Sequence, residues 1–233
     1  MNLFPADLSQ QYKLVQEIER QIAVRIPKFK VVCKQQSWLM KVLAVILYPF
    51  NRKFMTSYTT TIYPVVYWNG SVPAITDKST EGEVVHYLDV LLHEFRHLID
   101  RKKYWILFNL MYLFPQLLAV FALLSIFFSP WFLLALAALA PLPAVGRMWL
   151  ERRAFDVTMA VYSWMGFGFT DEYVDHIVGQ FVGSSYYFMW PFRNQLKKHF
   201  NQIIEDLKNK KLNNSQQEIY TFFLDSLAAI DHT

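Results

Sequence analysis

The sequence predicts a mainly helical protein with a small β element, an α+β chain organised as a single domain over residues 1–233. Three observations lead there. Apolar residues recur at helical spacing in several long segments. One stretch, MTSYTTTIYPVVYWNG, turns to Thr, Tyr, Ile and Val and closes on the turn signal Asn69-Gly70. Residues 104–146 are almost uninterruptedly apolar and read as a helical hairpin inserted into the rest.

The elements follow in order. Up to about Val32, Leu14, Ile18, Ile22 and Ile26 repeat among Gln, Glu and Arg, which predicts an amphipathic helix. The apolar run Trp38 to Phe50, interrupted by Lys41, is too short to span a bilayer and suits an interfacial or core helix. In the β-rich stretch from Phe54 to Trp68, Pro64 places the strand at a sheet edge or marks a bulge. A helix starts at Thr80, because Thr80 and Glu83 have capping-box spacing, and it runs through Lys102 or beyond. From Thr170 onward, aromatic-rich and charged helical segments alternate.

Tyr104 to Phe128 is apolar over about 25 residues, roughly 37 Å if helical, enough for a hydrocarbon core near 30 Å. Pro115 is expected to kink it, and the shorter return arm, Trp131 to Gly146, contains Pro141 and Pro143. Arg101, Lys102 and Lys103 precede the hairpin and Arg147, Arg152 and Arg153 follow it, while its turn carries no charge. That pattern predicts an integral membrane protein whose hairpin ends, soluble parts and active site face the cytoplasm. The competing reading is a pair of helices buried in a soluble core.

A hydrophobic share of 54% with only 18% charged residues excludes a disordered chain and favours membrane or heavily buried protein. The net charge of +4 comes without a nucleic-acid motif, so anionic lipid is the expected partner and nucleic acid is not. Cys33, the single cysteine, excludes an intrachain disulfide and a cysteine-based zinc knuckle. Met1 to Gln10 lacks the pattern of an export signal.

The most specific signal lies within the Thr80 helix: His93-Glu94-Phe95-Arg96-His97, an HExxH motif. His residues at i and i+4 lie on one helical face about 40° apart and can share one Zn2+ ion, with Glu94 beside them as general base toward the zinc-bound water. A catalytic zinc needs a third protein ligand. After His97 the chain reads LIDRKK, with no further His, and the next acids beyond Asp100 are Glu151 and Asp156, just past the hairpin. An antiparallel hairpin returns the chain to its entry point, which selects Glu151, with Asp156 as the other possibility. Asp89 and Asp100 are positioned to orient the imidazoles, or else are ordinary surface acids, and His86 lies too far up the helix to share the ion.

HEFRH on a helix, a membrane hairpin and the acid in WLERRAFD resemble the membrane gluzincins related to the CAAX prenyl endopeptidases and the bacterial heat-shock membrane proteases. TSYTTTIYPVVYWNG ahead of HEFRH is similar to the edge-strand region of metallopeptidases encoded by bacteriophages. The resemblance covers roughly residues 58–162. It implies a zincin-like core and an endopeptidase that hydrolyses peptide bonds at a membrane, with an extended peptide or protein substrate paired along the edge strand. The family pattern has Asp four residues after the ligand Glu; here Phe155 stands there and Asp156 follows. Tyr186 and Tyr187 are candidate oxyanion donors, with buried packing as their alternative role. The alternative function is a non-catalytic zinc-binding protein in a membrane or virion. A soluble metallopeptidase is the third reading.

Overall fold

The computed structural model describes residues 3–48, 51–140 and 142–230; the parts of the expectations that fall on Met1, Asn2, Pro49, Phe50 and Pro141 lie outside the described residues. Helix α1 (Leu8–Arg25) buries Leu14, Ile18 and Ile22 on one stripe, as their spacing requires, and packs against the HExxH helix and the last helix. It stops earlier than the periodicity predicts. Pro27, which has no N–H to continue the helical ladder, follows Ile26, and Lys28 takes a positive φ of 65°. The β-branched residues beyond it form strand β1 (Lys30–Cys33).

The sheet has strand order β1-β3-β2. Strands β2 (Thr60–Ile62) and β3 (Val65–Trp68) pair antiparallel, with Thr61 opposite Val66, and β1 lies parallel to β3. Pro64 therefore sits in the connection between two short strands, where its missing N–H disturbs no ladder, and β2 is an edge strand. Between β1 and β2 runs helix α2 (Trp38–Leu47), which buries only Met40.

Helix α3 (Glu81–Tyr104) starts with the expected capping box: Thr80 accepts from the Glu83 backbone N–H, and the Glu83 carboxylate accepts from that of Thr80. Helix α5 (Val145–Trp164) lies along it, and helix α8 (Asn214–Ile230) closes the core with Phe222 against Phe95. A second apolar cluster joins α5 to α6 (Asp171–Val182) and α7 (Arg193–Lys208) through Met159, Phe181 and Phe200. Mainly α with a small β element is thus the architecture.

The hairpin differs from a pair of straight helices. Helix α4 (Ile106–Leu113) is followed, after Pro115, by a 3-10 helix (Gln116–Ile126) bent from it by 84°, and a second 3-10 helix (Pro130–Leu139) returns beside the first. Pro115 has no N–H to continue the ladder and within a helix its ring would clash with the carbonyl four residues back, so α4 ends before it. A 3-10 rise near 2.0 Å gives each arm about 20 Å, short of a hydrocarbon core of about 30 Å. No single helix among the described residues is long and apolar enough to cross a membrane; the bent pair of α4 and its successor passes by length and composition only. The hairpin's side chains are largely exposed, Phe127 by 79% and Trp131 by 78%.

Candidate metal centre

The capped α3 helix presents His93 and His97 one turn apart toward α5, whose second turn presents Glu151. Glu151 is 1% exposed, and its Oε2 lies 3.6 Å from His93 Nε2 and 3.4 Å from His97 Nε2. Ligands at about 2.0–2.1 Å from a tetrahedral ion are about 3.4 Å apart, so these distances suit the edges of a tetrahedral metal coordination shell. All three donors lie within 4.8 Å of one another and can hold a metal ion. Glu151 Oε2 is buried with no hydrogen-bond partner among the described residues. Without a metal, a protonated His97 imidazole offsets this buried carboxylate as an ion pair; a cation between the three groups would replace that proton.

The charges in the metal-free cluster follow from this crowding. Burial disfavours charge on His97, but the Glu151 carboxylate outweighs it and pushes the imidazolium up to about 9. Burial alone would likewise raise the Glu151 carboxyl, yet the His97 and His93 imidazoles hold it well below its ordinary value. The shift favours the ionised carboxylate, the form in which it can ligate a metal.

Two side chains orient the donors. Thr158, seven residues and two helical turns after Glu151, meets His93 Nδ1 at 3.1 Å through its hydroxyl. Tyr112, from α4, donates to Glu151 Oε1 at 2.7 Å and leaves Oε2 for the cluster. Phe155, where the resembled pattern has Asp, packs edge-on against the His93 ring at 4.9 Å between centroids. His97 Nδ1 has no partner among the described residues.

Glu94 points toward the sheet, where the Thr61 hydroxyl of edge strand β2 donates to its Oε2 at 2.6 Å. Buried Lys34 backs that strand, donating to the Thr60 hydroxyl at 2.7 Å and to the carbonyls of Tyr58 and Phe54. Burial lowers its pKa to about 8, and the nearby Glu94 charge opposes that shift.

Other sequence candidates fall elsewhere. Asp156 accepts from His199, at 2.7 Å, and from Asn213, at 3.1 Å, tying α5 to α7 and to the start of α8. It does not join the donors. Asp100 receives Arg96 and Arg153 on its two oxygens, so it does not orient His97. Asp89 has an unpartnered buried Oδ1, and burial pushes its carboxyl up to about 7, but His93 Nδ1 turns to Thr158 instead. His86 is exposed beside Trp68. Of the tyrosine pair, Tyr186 is within electrostatic reach of Glu151 and Glu94, its pKa raised well above the usual value by burial and then by Glu151. Tyr187 instead donates to the Leu139 carbonyl in the hairpin.

Thr158, Tyr112, Thr61 and Lys34 were not singled out by sequence. Only Thr158 had a local signal, its place two turns along the face that carries Glu151. No family model matches the chain, and neither a curated protein nor a solved structure matches it.

Proposed function

We propose that the chain is a zinc-dependent endopeptidase of zincin-like architecture, working at a membrane and hydrolysing extended peptide segments. The observation that carries this reading is the buried Glu151 Oε2 facing both imidazoles of an HExxH helix at 3.4 and 3.6 Å. In the proposal His93, His97 and Glu151 hold the ion. Zinc bound there supplies Lewis acidity, which acidifies water and polarises a peptide carbonyl.

The chain's own groups do the rest. Glu94 takes the proton from the attacking water and passes it to the leaving amine; the Thr61 hydroxyl fixes one carboxylate oxygen and leaves the other free for that transfer. Because Thr61 belongs to edge strand β2, a peptide pairing along that edge lies beside the base. Tyr186, close to Glu151, is the candidate donor to the developing oxyanion. The exposed apolar hairpin, with basic residues at both outer ends, supports insertion into the cytoplasmic leaflet as a shallow loop.

Digestion of an unstructured peptide library by the protein in lipid tests the reading. Cleavage abolished by a chelator and restored by zinc is the expected result. A zinc-loaded chain that cleaves nothing in the library or in its native membrane supports the non-catalytic zinc-binding alternative instead.

A further inference from the structure

Helix α2 is an unusual surface element, and its surroundings say what covers it. Its inner side carries Met40, fully buried, with Leu39, Leu43, Ala44 and Leu47 half-buried or nearly so. Its outer side presents Trp38, 75% exposed, then Val42, Val45 at 76% and Ile46, with Lys41 among them and Tyr48 just past the end. At 1.5 Å per residue the helix is about 15 Å long, which fits it to lie in an interface rather than cross one. Its exposed ends are aromatic. Trp and Tyr gather where an apolar phase meets water, since each has an apolar body and a polar tip.

Along the chain on either side of the helix the charge has one sign, with Arg20 and Arg25 paired to Glu17 and Asp225 and Lys34 buried. From Arg20 to Thr76 the chain carries eight Lys or Arg and no Asp or Glu; with +4 on the whole chain, the remainder carries a net −4. Lys41 lies on the helix and Arg52 and Lys53 follow shortly after its end; all three are exposed and form no ion pair among the described residues. The Arg52 guanidinium sits 5.7 Å from the Tyr48 ring, beside the end of that face. An apolar stripe bounded by aromatics and collared by unpaired cations complements an anionic bilayer surface: the side chains enter the acyl boundary and the cations meet lipid phosphates and carboxylates. A second copy of the chain would bring the same positive collar against this one.

We infer that α2 is a lipid-docking helix that lies in the surface of an anionic membrane, a contact separate from the hairpin. The link to the candidate site is direct. Lys34 and Gln35, immediately before α2, bind the carbonyls of Phe54, Met55 and Tyr58 and the Thr60 hydroxyl. The docked helix thereby holds edge strand β2 near the lipid surface. This consequence rests on the peptidase reading and selects peptide segments that emerge from a bilayer as substrates; the docking itself does not depend on catalysis.

The test places an environment-sensitive fluorophore on α2. Cys33→Ser with Val45→Cys gives one labelling site at an exposed position, and circular dichroism of the labelled chain checks that the fold is kept. The labelled full chain is mixed with phosphatidylcholine vesicles, with and without phosphatidylserine. Expected are a blue-shifted emission and quenching by a lipid-borne quencher in the phosphatidylserine vesicles, both weakened by salt. Each basic residue at such a surface is worth about fivefold in partitioning, so charge reversal at Lys41, Arg52 and Lys53 together weakens this local contact by at least about a hundredfold. A chain that floats with vesicles while the label stays in water overturns the docking helix and leaves the hairpin reading intact. A chain that floats with neither vesicle overturns both. A label protected in proportion to protein concentration, with no lipid quenching, assigns the face to self-association and overturns the proposal.

Discussion

Replacing Glu151 with Ala removes the one group that faces both imidazoles. Its Oε2 stands 3.6 and 3.4 Å from His93 and His97, and no other carboxylate joins these donors within 4.8 Å among the described residues. Loss of a side chain that merely orients a ligand costs about 10–100-fold in metal affinity, so loss of the ligand itself is expected to cost at least about a hundredfold. That factor corresponds to about 2.7 kcal/mol. Without Glu151 the burial of His97 is no longer outweighed, and the ring becomes easier to deprotonate, which recovers part of the loss at neutral pH. Asp156→Ala is the matched control: it breaks the contacts with His199 and Asn213 and lowers thermal stability, but leaves the donors in place. Competition for zinc against a chromophoric chelator, with thermal unfolding of each variant, reads both effects. If Asp156→Ala weakens zinc more than Glu151→Ala does, the assignment of the third ligand is wrong.

Four further outcomes follow from the same geometry. Thr158→Val removes the partner of His93 Nδ1 and should weaken zinc by about 10–100-fold in the same titration, with little change in the folded state. Thr61→Val keeps shape and strand propensity but frees Glu94; hydrogen bonds to charged groups are worth about 1.5–3 kcal/mol, so kcat on a cleaved peptide should fall by at least about tenfold at unchanged zinc content. Zinc must displace the proton that Glu151 holds on His97 up to about 9, so apparent affinity should rise about tenfold per pH unit from 6.5 toward 9 and then level. The metal-free protein should show the opposite sign. A raised His97 contributes stability that is fully present below 6.5 and lost as pH climbs through about 9, and melting in chelator across that range measures it.

Much of the α3 region was legible because its signals are local. The Thr80–Glu83 capping box, the apolar stripe and the i, i+4 histidines all act within one helix, and each appears in the structure where the spacing puts it. The approach of Glu151 was legible for a different reason: a hairpin, whatever its inner form, returns the chain to its start. The inner form was not legible. Hydropathy reports how apolar residues 104–146 are, but the break at Trp105 and Pro115 and the 3-10 geometry beyond depend on backbone details that hydropathy does not carry. Strand β1 was hidden because the helical period of α1 runs on through Ile26 and masks the stop at Pro27. The supporting residues came from distant elements: Tyr112 from the apolar arm, Thr61 from the sheet edge and Lys34 from the turn before α2. No sequence window contains two of these partners together with the groups they serve.

The claim that Glu94 activates water for peptide hydrolysis is tested most directly by comparing the unmutated chain with Glu94→Gln at matched zinc content, in lipid, on a peptide that the unmutated chain cleaves. The substitution keeps the shape and the bond from Thr61 but removes the base. A base role for Glu94 predicts an intact fold, near-normal zinc and a hydrolysis rate reduced by at least about a hundredfold, the lower end for losing a positioned general base. Cleavage by Glu94→Gln at the unmutated rate would contradict it, whatever the metal occupancy.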